Sequence, residues 1–218
     1  VVANGVDPTR FQPGGDNGVR ARYGLGDRPV LGFVGGLRPW HGVETLPRAV
    51  AALTARHPGV HALIVGDGPL RPEIEREIAR LGLERHVTLT GAVPHEDVPA
   101  FIRACDVALA PYPAASHTFY FSPLKVYEYM ACGVPVVGAR LGQLADVVED
   151  GVTGRLYPAG DLDALVDACD DLLARPDEAR RMGARAAEVI AAGHTWGHNA
   201  RRVAALAASI GRREAVCA

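Results

Sequence analysis

Lys125 and Glu128 stand three residues apart in the stretch Tyr120 to Pro135, Y-F-S-P-L-K-V-Y-E-Y-M-A-C-G-V-P. On a helix that spacing puts both on one face, where an amine can hold a phosphate and a carboxylate can accept hydrogen bonds from sugar hydroxyls. The residues around them spell out such a helix. Ser122 is expected as the N-cap, Pro123 at the first helical position and Gly133 as the C-terminal stop, with Pro135 barring resumption, which gives about ten residues. Lys125 then falls in the first turn, where the helix dipole already places positive partial charge, so a lysine is disfavoured there unless an anion lies nearby. The unpaired N–H groups of that turn would hold the same anion. Taken alone, the same residues also describe a capped surface helix with one Lys/Glu pair worth a few tenths of a kcal/mol.

A second set of candidates surrounds a glycine-rich turn, V-L-G-F-V-G-G-L-R-P-W-H-G, which carries Gly36, Arg38 and His41. Gly66 and Gly68 mark a further turn, at which a nucleotide could approach the backbone or the chain could simply reverse. Val93 and His95 follow a third short apolar run.

The elements that must position these residues alternate. Short apolar runs at 30–34, 62–65, 87–89, 107–110, 134–138 and 154–157 read as strands. Helical spacing of apolar residues falls at 42–57, 72–81, 97–105 and 143–149, and again at 162–173, 177–192 and 196–210. Strand alternating with helix predicts an α/β, doubly wound, Rossmann-like parallel sheet with extra C-terminal helices. Ligands of such sheets bind at the carboxyl ends of the strands, where the glycine-rich turns fall. Residues 1–28 read as a connecting segment anchored by Phe11 and Tyr23, residues 29–195 as the sheet domain, and residues 196–218 as a C-terminal helix and tail.

Composition excludes several classes. The 218 residues are 48% hydrophobic and 22% charged with a formal net charge of -2, and no Lys/Arg run exceeds two residues, so no nucleic-acid surface is expected. There is no apolar run of transmembrane length and no signal peptide. Cys105, Cys132, Cys169 and Cys217 are widely spaced without a zinc pattern; the first three read as small core residues, and a reducing cytosol is the expected compartment. The opening residues, Val1 to Asp7, read like the middle of a protein. A dehydrogenase would need G-x-G-x-x-G with an acidic residue about twenty positions on, and the first turn has the wrong spacing; a P-loop is absent. The single D-x-D, Asp161-Leu162-Asp163, opens a helix and reads as an N-cap.

Taken in order, N-G-V-D, G-G-L-R-P-W-H-G-V-E-T-L, V-G-D-G-P-L, L-T-G-A-V-P-H-E-D-V-P, C-D-V-A-L-A-P-Y, S-P-L-K-V-Y-E-Y-M-A-C-G-V-P-V-V and E-D-G-V-T-G resemble the C-terminal half of the family 4 retaining glycosyltransferases. The resemblance implies a GT-B architecture, with two Rossmann-like domains across a cleft and this chain as the half that binds the nucleotide-sugar donor. An N-terminal acceptor domain is then the missing partner, and the donor is a nucleotide-diphosphate sugar, UDP-linked before GDP-linked. By position, Ser122, Pro123, Leu124 and Glu128 match the family's donor contacts, Glu128 holding the ribose. Arg38 and His41 match its diphosphate-binding basic pair, with Gly36, Gly68 and Val93 lining the donor site. Two departures stand out: Tyr120 occupies the place of the first Glu of the family's E-x7-E motif, and His41 that of a lysine.

Arg38 and Lys125 are therefore the expected catalytic cations. They would stabilise negative charge on the departing diphosphate, so that neither a metal nor a cofactor is required. Two other readings stay open, a nucleotide-binding or interaction module of the same fold without catalysis, and a nucleotide-sugar epimerase, for which no carboxylate pair is found.

Overall fold

The computed structural model describes residues 3–114 and 122–216. Its centre is a six-stranded, all-parallel sheet in the order β3-β2-β1-β4-β5-β6, formed by β1 (Val30–Val34), β2 (His61–Val65), β3 (Val87–Gly91), β4 (Val107–Ala110), β5 (Val136–Ala139) and β6 (Gly154–Tyr157). β1, β2, β4 and β5 are nearly continuous apolar runs because both faces of the sheet are covered. The helices are α1 (Val19–Arg22), α2 (Leu46–Thr54), α3 (Arg71–Leu81), α4 (Val98–Arg103), α5 (Leu124–Ala131), α6 (Gly142–Val147), α7 (Leu162–Ala174), α8 (Pro176–Gly193) and α9 (Trp196–Val216). α2 packs beside α3 and α7, while α5 packs beside α8. The doubly wound arrangement expected from the alternating pattern is the one observed.

Several boundaries move for local reasons. The helix expected over 42–57 is shorter: 3-10 turns at Pro39–His41 and Val43–Thr45 precede α2, because Gly42 takes a left-handed conformation (φ 67°) between them. β2 starts one residue early, at His61, whose ring is buried and bonded to Thr88 Oγ1 at 2.8 Å; burial lowers its pKa to about 4, so it is a neutral core histidine. β5 starts late, at Val136, since the Val134 N–H is held by the Tyr129 carbonyl at the end of α5 and Pro135 has no N–H to offer a ladder. That C-terminal stop is the one expected at Gly133, which has φ 77° and donates to Met130.

The segment before the sheet lies on it. Phe11, Val19 and Leu25 are buried, and Arg20 ties the segment down through Ala104 O, Arg28 O and Asp106. The two ends of the chain meet: Val6 accepts from Trp196 N and donates to His194 O, and Asn199 Nδ2 donates to Ala3 O. Beyond this junction residues 200–209 of α9 are exposed, with Val203 and Leu206 more than half exposed. Cys105, Cys132 and Cys169 are buried, as small core residues should be. Asp161 caps α7 by accepting from Ala164 N at 2.9 Å, as its position predicted.

Candidate functional site

The strand order reverses between β1 and β4, and at that point the sheet splits. β1 is in register with β2 along all five residues but with β4 only at Leu31↔Val107 and Gly32↔Ala108, whereas β4 stays with β5 through Ala110. A crevice at the carboxyl ends of β1 and β4 is where a sheet of this type takes its ligand. The turn after β1 brings Gly35, Gly36, Arg38 and His41 to it, and α5 brings Lys125 and Glu128.

Lys125 has an unusual setting. Its stem is partly exposed, yet Nζ is sealed from solvent and has no hydrogen-bond partner among the described residues. The amine stands 4.2 Å from the centre of the Phe33 ring and 5.6 Å from that of Tyr112, which gives it aromatic faces but no anion. Burial lowers its pKa to about 7, and Glu128 opposes that fall. Nζ also lies under the turn after β1: a Cβ on Gly35 would come within 2.8 Å of it, so only glycine leaves the amine its place.

Glu128 is buried one turn along. Desolvation raises its pKa to about 7 against the pull of Lys125 and Arg10, and Oε1 lies 3.9 Å from His95 Nε2. His95 is in turn edge-on to Phe11 at 5.9 Å, and Val93 is half-buried against the core in the same loop. The acid thus faces the loop after β3, and the amine faces the turn after β1.

The remaining candidates sort differently from expectation. Pro123, not Ser122, is the N-cap of α5: its ψ of 80° is not helical, so the helix has eight residues rather than ten and starts at Leu124. Ser122 caps nothing; its Oγ accepts from Asn4 N at 3.0 Å, across 118 positions of sequence. The Leu124 N–H is already donated to Ser122 O and that of Val126 to Pro123 O, so the start of α5 offers fewer free donors than its sequence suggested. The Leu124 side chain is exposed.

His41 donates Nδ1–H to Gly36 O at 2.7 Å, and burial together with the nearby Lys125 charge lowers its pKa. A neutral imidazole with its free nitrogen as acceptor leaves the positive charge of this site to Lys125 and Arg38. Arg38 is exposed, has no ion pair among the described residues, and rests its guanidinium 5.2 Å from the centre of the half-exposed Trp40 ring. Gly36 has open space at its Cα except for the Arg38 side chain. Gly68 is glycine for a protein contact: a Cβ there would strike Leu37 O at 2.6 Å, where the turns after β1 and β2 are tied by Leu37 N to Asp67 O and Leu70 N to Leu37 O. Tyr120 and His117 lie outside the described residues.

Sequence reasoning missed Phe33 and Tyr112, because nothing local in an apolar strand or a P-Y-P turn says which amine a ring will meet. Among the described residues no group of three or more His, Cys, Asp or Glu could hold a metal, and no helix is long and apolar enough to cross a membrane.

A family model described as Glycosyl transferases group 1 matches residues 28–175. The GDP-mannose-dependent alpha-(1-6)-phosphatidylinositol monomannoside mannosyltransferase of Mycolicibacterium smegmatis is 38% identical over 215 residues, covering 97% of this chain and 56% of its own. The D-inositol 3-phosphate glycosyltransferase of Nocardia farcinica is 38% identical over 208 residues, 92% of this chain and 45% of its own. Anabaena HepE, solved in complex with UDP, superposes with a TM-score of 0.85 at 26% identity, over 96% of this chain and 57% of that one. The chain thus spans about half the length of the relatives it matches. On the extent of the family match and on that level of identity, with a fold that superposes on the solved neighbour, the chain belongs to the glycosyl transferases group 1 family.

Proposed function

We propose that the crevice between β1 and β4 is the donor site of a retaining glycosyltransferase, holding the diphosphate of a nucleotide sugar over the Gly35-Gly36 turn. The observation that carries this reading is the Lys125 amine, buried without a hydrogen-bond partner among the described residues and directed under that turn. A buried cation without an anion is costly, and a diphosphate is the anion whose size and place would relieve it. Arg38, exposed and unpaired among the described residues, can swing from Trp40 to the same diphosphate. When the bond from the anomeric carbon to the diphosphate oxygen breaks, the charge left on that oxygen is met by cations already in place, which is electrostatic stabilisation of the leaving group. Metal assistance has no necessary part in this scheme.

Glu128, facing His95 and the loop after β3, is the acceptor for the ribose hydroxyls. Uridine is the expected base, and the UDP complex of HepE supports it; the GDP-mannose named for the mycobacterial relative makes guanosine the competitor. The sugar acceptor, on this reading, is bound by a further domain, in keeping with relatives about twice as long as this chain.

Calorimetric titration with UDP, GDP and ADP tests the proposal. Saturable binding of one diphosphate, weakened by Lys125→Ala and by Glu128→Ala, is the expected result. A folded chain that takes up none of the three would refute an autonomous donor site.

A further inference from the structure

At the split between β1 and β4 stands the Tyr129 hydroxyl. In a parallel strand the backbone groups of successive residues point to alternate neighbours. Gly35 N donates to Val65 O on the β2 side, so Val34 faces the β4 side, where β4 has already turned away with β5. Its N–H and C=O do not go unsatisfied. Val34 N donates to the Tyr129 hydroxyl at 2.7 Å, and the same hydroxyl donates to Val34 O at 3.1 Å. One side-chain oxygen therefore replaces a missing strand partner at the last residue of β1. Tyr129 is 1% exposed, and its ring rises from α5, the helix that carries Lys125 and Glu128.

We infer that Tyr129 is a positioning residue of the donor site: its hydroxyl wedges β1 and β4 apart at the switch point and fixes the Gly35–Arg38 turn to the helix that supplies Lys125. The inference rests on the donor-site reading for its purpose, though not for its geometry. A part-buried backbone N–H and C=O that lose their shared partner must find water or another group, and either outcome lets β1 shift relative to α5. The amine under Gly35 would then no longer sit where the turn presents a phosphate.

The test is Tyr129→Phe, which keeps the ring and removes one oxygen, compared with wild type and with Leu172→Ala, a destabilising change in α7. Amide hydrogen exchange is followed without nucleotide, and UDP, GDP and ADP affinities are measured alongside. In Tyr129→Phe the amides of Val34, Gly35 and Gly36 are expected to exchange at least about tenfold faster while those of Leu63 and Val65 in β2 hold, because only the wedged end is released. The affinity for the preferred diphosphate is expected to fall by about tenfold or more, with little change in Leu172→Ala. Unchanged exchange at Val34 to Gly36, or an affinity loss matched by Leu172→Ala, would overturn the inference. Absence of nucleotide binding by the wild type would sink the donor-site reading, and the exchange comparison would then decide the wedge by itself.

Discussion

Replacing Lys125 with methionine should make the empty domain more stable and the donor site worse. An ordinary lysine titrates near 10.5, and burial, only partly offset by Glu128, holds this one near 7. That gap corresponds to roughly 5 kcal/mol against the charged amine. Methionine fills similar volume against Phe33 and Tyr112 without a charge, so a gain of about 1–3 kcal/mol is expected after relaxation, a rise of several degrees in Tm for a domain of this size. The pH dependence has a definite sign. Because the folded-state pKa is depressed, the penalty is full at and below about pH 7 and fades as pH rises toward 10.5, so the advantage of Lys125→Met should shrink over that interval.

Affinity moves the other way. A charge-assisted contact to phosphate is worth about 1.5–3 kcal/mol, or roughly a ten- to hundredfold loss of UDP affinity in the variant. In the wild type, affinity should fall as pH rises above 7, since the empty site must take up a proton at Lys125 to hold the diphosphate. Paired urea unfolding and calorimetry between pH 7 and 9 read both quantities. A variant that is less stable than wild type, or one that binds UDP as tightly, would show that the amine is a structural group and not one kept for an anion.

Four further outcomes follow from the same geometry. Glu128→Gln should weaken nucleoside diphosphate binding about tenfold and leave pyrophosphate binding unchanged, because the carboxylate is assigned to the ribose. Burial raises the Glu128 pKa to about 7 and Lys125 holds it down, so in the Lys125→Met background it lies higher still and nucleotide affinity should increase only as pH rises above about 7; a flat profile by calorimetry counts against it. In a Trp196→Phe background the remaining indole is Trp40, and UDP should change its emission as Arg38 leaves the ring; constant emission at saturating UDP would remove Arg38 from the diphosphate site. Asp161→Ala should cost about 1 kcal/mol in urea unfolding through loss of the α7 cap, with UDP affinity unchanged, and an effect on affinity would reopen the D-x-D as a ligand set.

What the sequence determined by itself is the class of fold and the family, and it placed Lys125 and Glu128 of the candidate site on one helix. Continuous apolar runs such as Val30–Val34 and Val107–Ala110 are strands buried on both faces, helical periodicity between them forces crossovers, and parallel order with glycine turns at the carboxyl ends follows. The ordered motifs carried the family, and Lys125 with Glu128 on one face of α5 was legible from a spacing of three. Local chemistry also placed the Gly133 stop and the Asp161 cap, since both depend on bonds within a few residues. Local signals were wrong where a distant partner outbid them. Ser122 has the composition of an N-cap, but its hydroxyl accepts from Asn4 N and Pro123 stands at the cap of α5. Tertiary structure alone decided that the Lys125 amine is sealed without a hydrogen-bond partner among the described residues and that the Tyr129 hydroxyl stands in for a strand. Both facts come from packing between segments some ninety residues apart, where Phe33 and Val34 of β1 meet α5, and burial at such a junction is a property of the folded neighbours rather than of either segment's own sequence.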